Sequence, residues 1–552
     1  MAIVSRRPSR THEVLNQSAP LVDYNLFETD PALVEAVERE GAGWAAVELR
    51  ALGARVGSEE VIAWGFLANE NPPILHTHDR FGYRIDEVEF HPAWHRLLEL
   101  SVGAGIAGRP WRDTNKGSHV ARAAASLLAS QNEAGHGCPV TMTYASVPAL
   151  RAQPEIAAAW IPKITSDVYD ARLLPMDQKR GVLLGMAMTE KQGGSDVRAN
   201  TTRATAVGRG GPGGEYLVTG HKWFCSAPMC DAFLMLAATE KGLGCFLMPR
   251  FLPDGTRNAF YFQRLKDKLG NRSNASSEVE FEGASTVLVG EEGHGVRTIL
   301  EMASHTRLDC VIGSAALMRQ ALVQASHHVR QRAAFGKRLV EQPLMQNVIA
   351  DLTLESEAAT LLAMRLARAY DAPPDDASEV AFRRIATPIA KYWVCKRAIA
   401  HVGEALECLG GNGFVEETIL PRLYRESPIN SLWEGSGNVM CLDVLRAATR
   451  EPATLDALLA EIQLAHAADR RFDDFLARAK GWLAEGDRER GARRIAAGLA
   501  LLLQGSLMLR HGSPAMADAF CASRFGDEAG RGFGTLPTGV DLAAILHRVE
   551  GI

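Results

Sequence analysis

The sequence predicts a mainly α-helical protein with a central β-barrel domain, a helical bundle and an added helical region at its C-terminal end. Three observations lead there. Hydrophobic periodicity is helical up to about residue 180, switches to short β-rich runs over 181–290, and returns to long helical runs afterwards. The β-rich runs are separated by turn signals such as GRGGPGGE and LPDG, a spacing that suits an antiparallel sandwich or barrel rather than βαβ units. The helical runs 298–331, 343–371, 378–409 and 437–449 have short connections, as antiparallel bundle helices do. The expected domains are 1–180 (N-terminal arm and helical domain), 181–290 (barrel), 291–449 (bundle) and 450–552 (helical extension).

A chain of 552 residues, 47 % hydrophobic and 23 % charged, has ample apolar surface for several cores. Its net charge of −5 gives no global attraction for phosphate, so a nucleic-acid partner would need a local basic patch. No apolar run reaches about 18 residues, so no membrane span is expected. The start, MAIVSRRPSRTHEVLNQ, has basic residues without a following apolar stretch and does not read as a secretory signal. Nine cysteines without a CxxC pair read as reduced thiols in a cytoplasmic protein.

Residues 1–45 begin polar and turn helical near Pro31; this arm either lies over another subunit or is a frayed start. Residues 46–180 read as helices broken by Pro and Gly. They carry His76, His78, His91, His95, His119 and His136. No carboxylate or thiol at motif spacing joins these histidines, so packed or surface roles are expected and a metal site is not.

Five stretches carry chemistry. In MAMTEKQGGSDV, 186–197, a strand ends in a Gly-containing turn that offers backbone N–H groups and the hydroxyls of Thr189 and Ser195. It is neither a dinucleotide fingerprint nor a P-loop, because another strand follows and no Gly-Lys-Ser/Thr occurs. GHKWFCS, 220–226, puts Phe224 and Ser226 on one strand face. RQRAAFGKRLVEQP, 330–343, is a basic helix end that breaks at Gly336, with Arg332 and Phe335 able to clamp a diphosphate and a ring. LECLGGNGF, 406–414, ends a helix on paired glycines. INSLWEGSGNVM, 429–440, sets the carboxylate of Glu434 between Trp433 and a small-residue helix opening. Taken singly, these also read as a hairpin, strand alternation, a solvated helix end, a helix C-cap and a helix-cap carboxylate.

Together, in this order, they resemble the acyl-CoA dehydrogenase family of flavoproteins. MTEKQGGSD resembles that family's TEPGAGSD, RAAFGK its RxxFGK, LGGNGF its GGNGF, and WEGSGN its YEGTxxI-type segment. The wording MTEKQGGSDVRANTT, LGNRSNASSEVEF and NSLWEGSGNVMCLDVLR, with long ends on both sides, is similar to the AidB-like branch, associated with the bacterial adaptive response to DNA alkylation. The resemblance implies a helical domain, a β domain and a four-helix bundle, assembled as a homotetramer with one non-covalent FAD per subunit. It implies that Met188, Thr189, Gly194 and Ser195 hold the flavin and pyrophosphate side, with Phe224 and Ser226 at the ring. Arg332, Phe335 and Gly411 would come from a neighbouring subunit, and Trp433, Ser436 and Asn438 would contact the flavin next to Glu434.

By the same resemblance Glu434 is the catalytic base, removing the α-proton of an acyl thioester while hydride leaves the β-carbon. Burial should raise its pKa, as suits a base working near neutral pH. One subgroup places its base just before the arginine of the first bundle helix. Here that position is Thr306, so the base is at 434 and Arg307 is its candidate orienting partner. Two departures remodel the diphosphate side: Pro343 stands where the family has a flavin-binding Gln, and Glu407 where a Gln often precedes the paired glycines. The resemblance assigns double-stranded DNA to the extension. There basic and acidic residues balance, and Arg490, Arg493 and Arg494 share a face at i, i+3, i+4 that could meet phosphates without sequence readout. The expected function is DNA-associated protection or repair of alkylated DNA with residual acyl-CoA dehydrogenase chemistry; the alternative is a metabolic short- or branched-chain acyl-CoA dehydrogenase.

Overall fold

A computed structural model of the chain describes residues 11–527, 530 and 532–551. Residues 1–10, which carry much of the stretch read above against a secretory signal, lie outside the described residues. The N-terminal domain contains α1 (Pro31–Arg39), α2 (Ala46–Val56), α3 (Glu59–Glu70), α4 (Pro92–Gly103), α5 (Arg109–Arg112), α6 (Ser118–Asn132), α7 (Gly137–Leu150) and α8 (Pro154–Ile164). Local chemistry sets their starts. Asp30 accepts the Leu33 N–H at α1, and Ser58 accepts that of Val61 at α3. The Ala- and Ser-rich sequence of α6 lets it sink almost wholly into the core.

One feature there departs from the all-helical expectation. Strands β1 (Ile74–His78) and β2 (Arg84–Glu89) form an antiparallel hairpin. Neither face of this ribbon is a buried apolar one, so the period-2 hydrophobic signal on which a strand reading depends is missing. The histidines go to separate partners: His76 to Glu89 at 2.8 Å, His95 to the Tyr169 hydroxyl at 2.9 Å, His119 to the Tyr144 hydroxyl at 2.7 Å and His136 to Glu133 at 2.9 Å.

The middle region holds β3 (Leu184–Ala187), β4 (Arg203–Ala206), β5 (Glu215–Ser226), β6 (Ala232–Thr239), β7 (Gly242–Pro249), β8 (Phe260–Leu265) and β9 (Ser276–Val289). The path β6-β4-β5-β9-β7 closes on itself because β7 also pairs with β6; β3 joins β6 and β8 joins β9. Closure removes free edges and buries β6 along almost its whole length.

The bundle is built from α9 (Gly295–Gln331), α10 (Pro343–Asp371), α11 (Ala377–Cys408) and α14 (Gly437–Arg450), each within a few residues of its sequence-based span. A short hairpin, β10 (Ala333–Ala334) and β11 (Lys337–Arg338), leaves the end of α9; α12 (Gly411–Phe414) and α13 (Leu420–Glu426) lead to the 429–436 loop. Buried polar groups join the domains. Asp309 of α9 accepts from Arg122 of α6 at 2.6 Å and from Thr141 of α7 at 2.7 Å.

The arm packs on its own chain. Asn16 exchanges hydrogen bonds with Ala333 at 2.8 and 2.7 Å, and Ser18 bonds His328 at 2.9 Å. A frayed start is therefore not what its described part shows.

The extension comprises α15 (Pro452–Gln463), α16 (Arg470–Ala484), α17 (Arg488–His511), α18 (Pro514–Phe525) and α19 (Leu542–His547). Among the described helices α17 alone is long and apolar enough to cross a membrane, with mean hydropathy 1.2 over its best window. That window is 72 % buried inside the chain, so its apolar surface is already satisfied by packing. Ion pairs fasten the extension to the bundle: Glu461 of α15, also paired with Arg510, to Arg365 of α10 at 2.7 Å, Arg524 to Asp351 at 2.6 Å, and Arg548 to Glu357 at 2.9 Å.

Candidate active site

The 429–436 loop is held from below by polar side chains of the bundle helices, Lys391 of α11 with Arg307 and Ser314 of α9. The Lys391 ammonium, on α11 and almost fully buried, donates to the carbonyls of Asn430 at 3.0 Å and Gly435 at 2.8 Å. Arg307, on α9, donates through Nε to the Glu434 carbonyl at 3.0 Å and pairs with Asp443 of α14 at 2.9 Å. Asn430 bonds the Ser314 hydroxyl at 3.2 Å and accepts the Trp433 indole N–H at 3.1 Å. These bonds hold a strained turn. Glu434 has φ 58° and Gly435 φ 108°, and a Cβ on Gly435 would come within 2.5 Å of the Met440 Cε. A left-handed non-glycine residue costs on the order of 1–3 kcal/mol. Charge-assisted hydrogen bonds return roughly 1.5–3 kcal/mol each, so the bonds to Lys391 and Arg307 outweigh the strain.

The strain aims the carboxylate. The Glu434 side chain is buried, and its Oε2 has no hydrogen-bond partner. Burial raises its pKa; the neighbouring Thr306 hydroxyl and the charges of Arg307 and Lys391 pull it partly back. Arg307 thus orients the candidate base through its main chain, with its guanidinium divided between the Glu434 carbonyl and Asp443. Thr306 stands beside the same carboxyl, so a base at either position would serve one spot.

On the barrel side, the turn after β3 and the end of β5 lie together. The Thr189 carbonyl accepts from the Trp223 N–H at 2.8 Å, and the Met188 carbonyl accepts from Asn200 at 3.0 Å. Gly194 folds against Thr189, since a Cβ on it would sit 3.0 Å from the threonine side chain; Ser195 beside it is exposed. The buried pair Lys222–Glu190, at 2.8 Å, pins this turn to the barrel. Phe224 leaves half its surface open, and Ser226 sits 3.4 Å from Ser276. Lys268 donates to Ser276 at 3.0 Å; burial lowers its pKa to about 8. The buried Cys138 thiol of α7 feels the charges of both Lys268 and Glu434, while burial pushes it up to about 12.

Three candidates lie on a different face. Phe335 is fully exposed at the tip of the β10–β11 hairpin with φ 54°, followed by Gly336 at φ 80°. Arg332 donates to the Asn16 carbonyl of the arm, and Asn412, next to Gly411, bonds Gln17 at 3.2 Å. A Cβ on Gly411 would meet nothing within 4 Å. Pro343 opens α10, and Glu407 is exposed near the end of α11.

In the extension, Arg490 pairs with Asp487 at 3.3 Å, Arg494 pairs with Glu485, and Arg493 donates to Asn438 at 2.8 Å. Sequence reasoning passed over Lys391, Asp443, Lys268 and Cys138. The one visible signal was a lysine inside the apolar run ATPIAKYWVC.

This arrangement agrees with what the chain is similar to. Residues 16–171 match the adaptive response protein AidB N-terminal domain, 185–284 the acyl-CoA dehydrogenase middle domain, and 293–449 the acyl-CoA dehydrogenase C-terminal domain. AidB of Escherichia coli (strain K12) is 49 % identical over 514 residues, covering 93 % of this chain and 94 % of that protein. The chain belongs to the acyl-CoA dehydrogenase family. Within it, it is AidB-like, and it is an FAD-dependent oxidoreductase of the acyl-CoA dehydrogenase type. Acyl-CoA dehydrogenase family member 11 of Caenorhabditis elegans is 30 % identical over 451 residues, 78 % of this chain and 72 % of that one. Among solved structures, Bd2924 in its apo-form superposes with TM-score 0.82 at 28 % identity, covering 90 % of this chain and all of that one. Caenorhabditis elegans ACDH-11 in complex with C11-CoA shares the fold, with TM-score 0.83 at 24 % identity over 99 % of this chain and 94 % of its own.

The acyl-CoA dehydrogenase residues present fit FAD. The half-open Phe224 ring offers a flat apolar face, and the Ser436 hydroxyl makes no capping bond at α14. The unpartnered Glu434 oxygen adds a buried acceptor whose lone pairs no group of the described chain engages. Met188, Thr189 and Ser226 would hold the ring end.

Proposed function

We propose that the protein is a DNA-associated, AidB-like flavoprotein that protects or repairs alkylated DNA and retains a competent acyl-CoA dehydrogenase centre. The observation that carries the chemistry is the buried, unpartnered carboxylate oxygen of Glu434, held by Arg307 and Lys391. FAD, when bound, accepts the hydride leaving the β-carbon. Glu434 Oε2 takes the α-proton of an acyl thioester. Its raised pKa makes that transfer more favourable than for an exposed glutamate. Lys391 and Arg307 fix the main chain that carries the carboxylate, and the partly buried Trp433 ring flanks it. Short or branched acyl-CoA thioesters are the substrate class.

The DNA role rests on the 49 % identity to AidB over nearly the whole length and on the exposed arginines of α16 and α17. Their ion pairs lie at the surface, where such pairs are worth about 0–1 kcal/mol, so phosphates can displace the carboxylates. A homotetramer is part of this reading. Phe335, Leu344 and Phe414 are exposed, Phe335 at the tip of a two-residue hairpin turn whose geometry sets its φ of 54°. A partner subunit that covers Phe335 and meets Gly411 accounts for this apolar exposure. A cytoplasmic location completes the reading.

Anaerobic titration with acyl-CoAs of graded length tests the centre. Flavin bleaching that disappears in Glu434→Gln is expected; no bleaching at any length overturns it. Duplex DNA affinity should fall steeply with salt and in the Arg490/Arg493/Arg494→Ala triple variant. Unchanged affinity would remove this face from DNA binding.

A further inference from the structure

Lys268 carries a positive charge into the barrel side of the site without a carboxylate of its own. It lies three residues past the end of β8, in the turn that leads to β9, and its ammonium folds back onto that turn. There it donates to the Asn274 carbonyl and, at 3.0 Å, to the Ser276 hydroxyl oxygen. Among the described residues it has no ion-pair partner, whereas Lys266, two positions earlier, pairs with Glu278 at 2.6 Å. The carboxylates that act on it from a distance, Glu426 of α13 and Glu133 after α6, are engaged elsewhere. Glu426 accepts from the Asn271 side chain at 3.0 Å, and Glu133 accepts from the Ser273 hydroxyl at 2.7 Å and pairs with His136. These bonds clamp the 268–276 turn from both sides, so the segment that carries the ammonium is fixed.

The sheet register passes this charge on. Ser276 opens β9 directly opposite Ser226, the last residue of β5, and their hydroxyl oxygens are 3.4 Å apart. An ammonium has donors only, so the Ser276 hydrogen cannot point back at Lys268. Ser226 is the side-chain acceptor within its reach, and Ser276 therefore donates to it. The Ser226 hydroxyl, accepting from Ser276, keeps its own hydrogen for a partner outside the row. A charge at one end of such a row polarises each bond after it. A hydride brings two electrons and one proton, so a flavin ring gains one negative charge when it is reduced. A fixed donor with a cation behind it favours that charged state over the neutral one, and needs no reorganisation when the charge arrives.

We propose that Lys268 is a positioning residue for hydride transfer: through Ser276 it turns the Ser226 hydroxyl into a donor toward the flavin, and so biases the bound cofactor toward its reduced state. This rests on the reading that Ser226 stands at the flavin ring.

The test uses the full chain loaded with FAD, as wild type and as Lys268→Met, Lys268→Arg and Ser276→Ala. The reduction potential is read by equilibration with reference dyes. Affinities of the flavin-free chain for oxidised and for reduced FAD are measured separately, and thermal melting checks folding. Lys268→Met should move the equilibrium toward oxidised flavin about tenfold or more, roughly 30 mV lower for a two-electron couple. The same change should appear as weaker binding of reduced FAD with oxidised FAD little altered. Lys268→Arg keeps the charge and should restore the wild-type potential. An unchanged potential in Lys268→Met overturns the proposal. Equal weakening of both flavin states also overturns it, and leaves Lys268 as a prop for its turn only. If Lys268→Met melts early, Ser276→Ala decides: it keeps the ammonium but cuts the row, so the potential should fall, and no shift overturns the proposal. Wild-type chain that takes up no FAD overturns the flavin reading and the proposal with it, and that outcome is visible before any variant is made.

Discussion

The Lys391 ammonium lies 2.8 Å from the carbonyl oxygen of Gly435, the residue after the candidate base. A buried cation on a bundle helix thereby sets the backbone of a catalytic turn. Lys391→Met would strand two carbonyls, at about 1–3 kcal/mol for each unsatisfied group. The variant should melt several degrees lower and bleach flavin at least about tenfold more slowly. Stopped-flow spectroscopy with thermal denaturation measures both.

Glu434→Gln should be more stable than the wild type at pH 8. Burial raises the folded-state pKa of Glu434, so the folded protein holds its proton to higher pH than the unfolded chain does. Stability therefore falls as pH rises through that window, and the penalty is fully present above it. The variant's advantage should vanish as pH drops below the unfolded glutamate value. Urea melts at several pH values give the comparison; an advantage that grows in acid would contradict the burial argument.

Gly435→Ala should destabilise the protein by about 1–3 kcal/mol, because φ 108° is hostile to a Cβ and the added Cβ would come within 2.5 Å of the Met440 Cε. Shortening Met440 in the same chain should recover only the steric share. A double-mutant cycle separates the two effects.

Arg524→Met should loosen the extension. Glu355 is buried, which pushes its pKa up, but Arg397 and Arg524 win and hold it at about 2. A depressed carboxylate contributes stability that is complete above the unfolded value near 4.5 and lost as pH falls toward 2. Removing one partner of a buried pair costs about 3–5 kcal/mol, so the variant should expose residues 450–527 to limited proteolysis at pH 7. It should also flatten the acid limb of the stability curve.

Phe335→Asp should leave the chain folded and shift it to smaller assemblies in light scattering. Its ring touches little of its own chain, being 99 % exposed, so folding loses nothing when it goes. An unchanged mass would remove the hairpin from the subunit interface.

By itself the sequence determined the order helical, barrel, bundle, extension, because long periodic helices and Gly/Pro-bounded strands are local signals. It also singled out Glu434 as the candidate base by resemblance, since Glu434 and its neighbours form one contiguous stretch. The β1–β2 hairpin escaped it, for want of an apolar face. Only the tertiary structure decided how that acid is held. Lys391, Arg307 and Asp443 are scattered along three helices and meet Glu434 only when the bundle closes. Arg493 escaped in the same way: a periodic row of arginines looks alike from the chain, and only packing of α17 against α14 turns one of them toward Asn438. Local pattern reports which face of an element is buried; it carries no record of what the opposite element brings to that face.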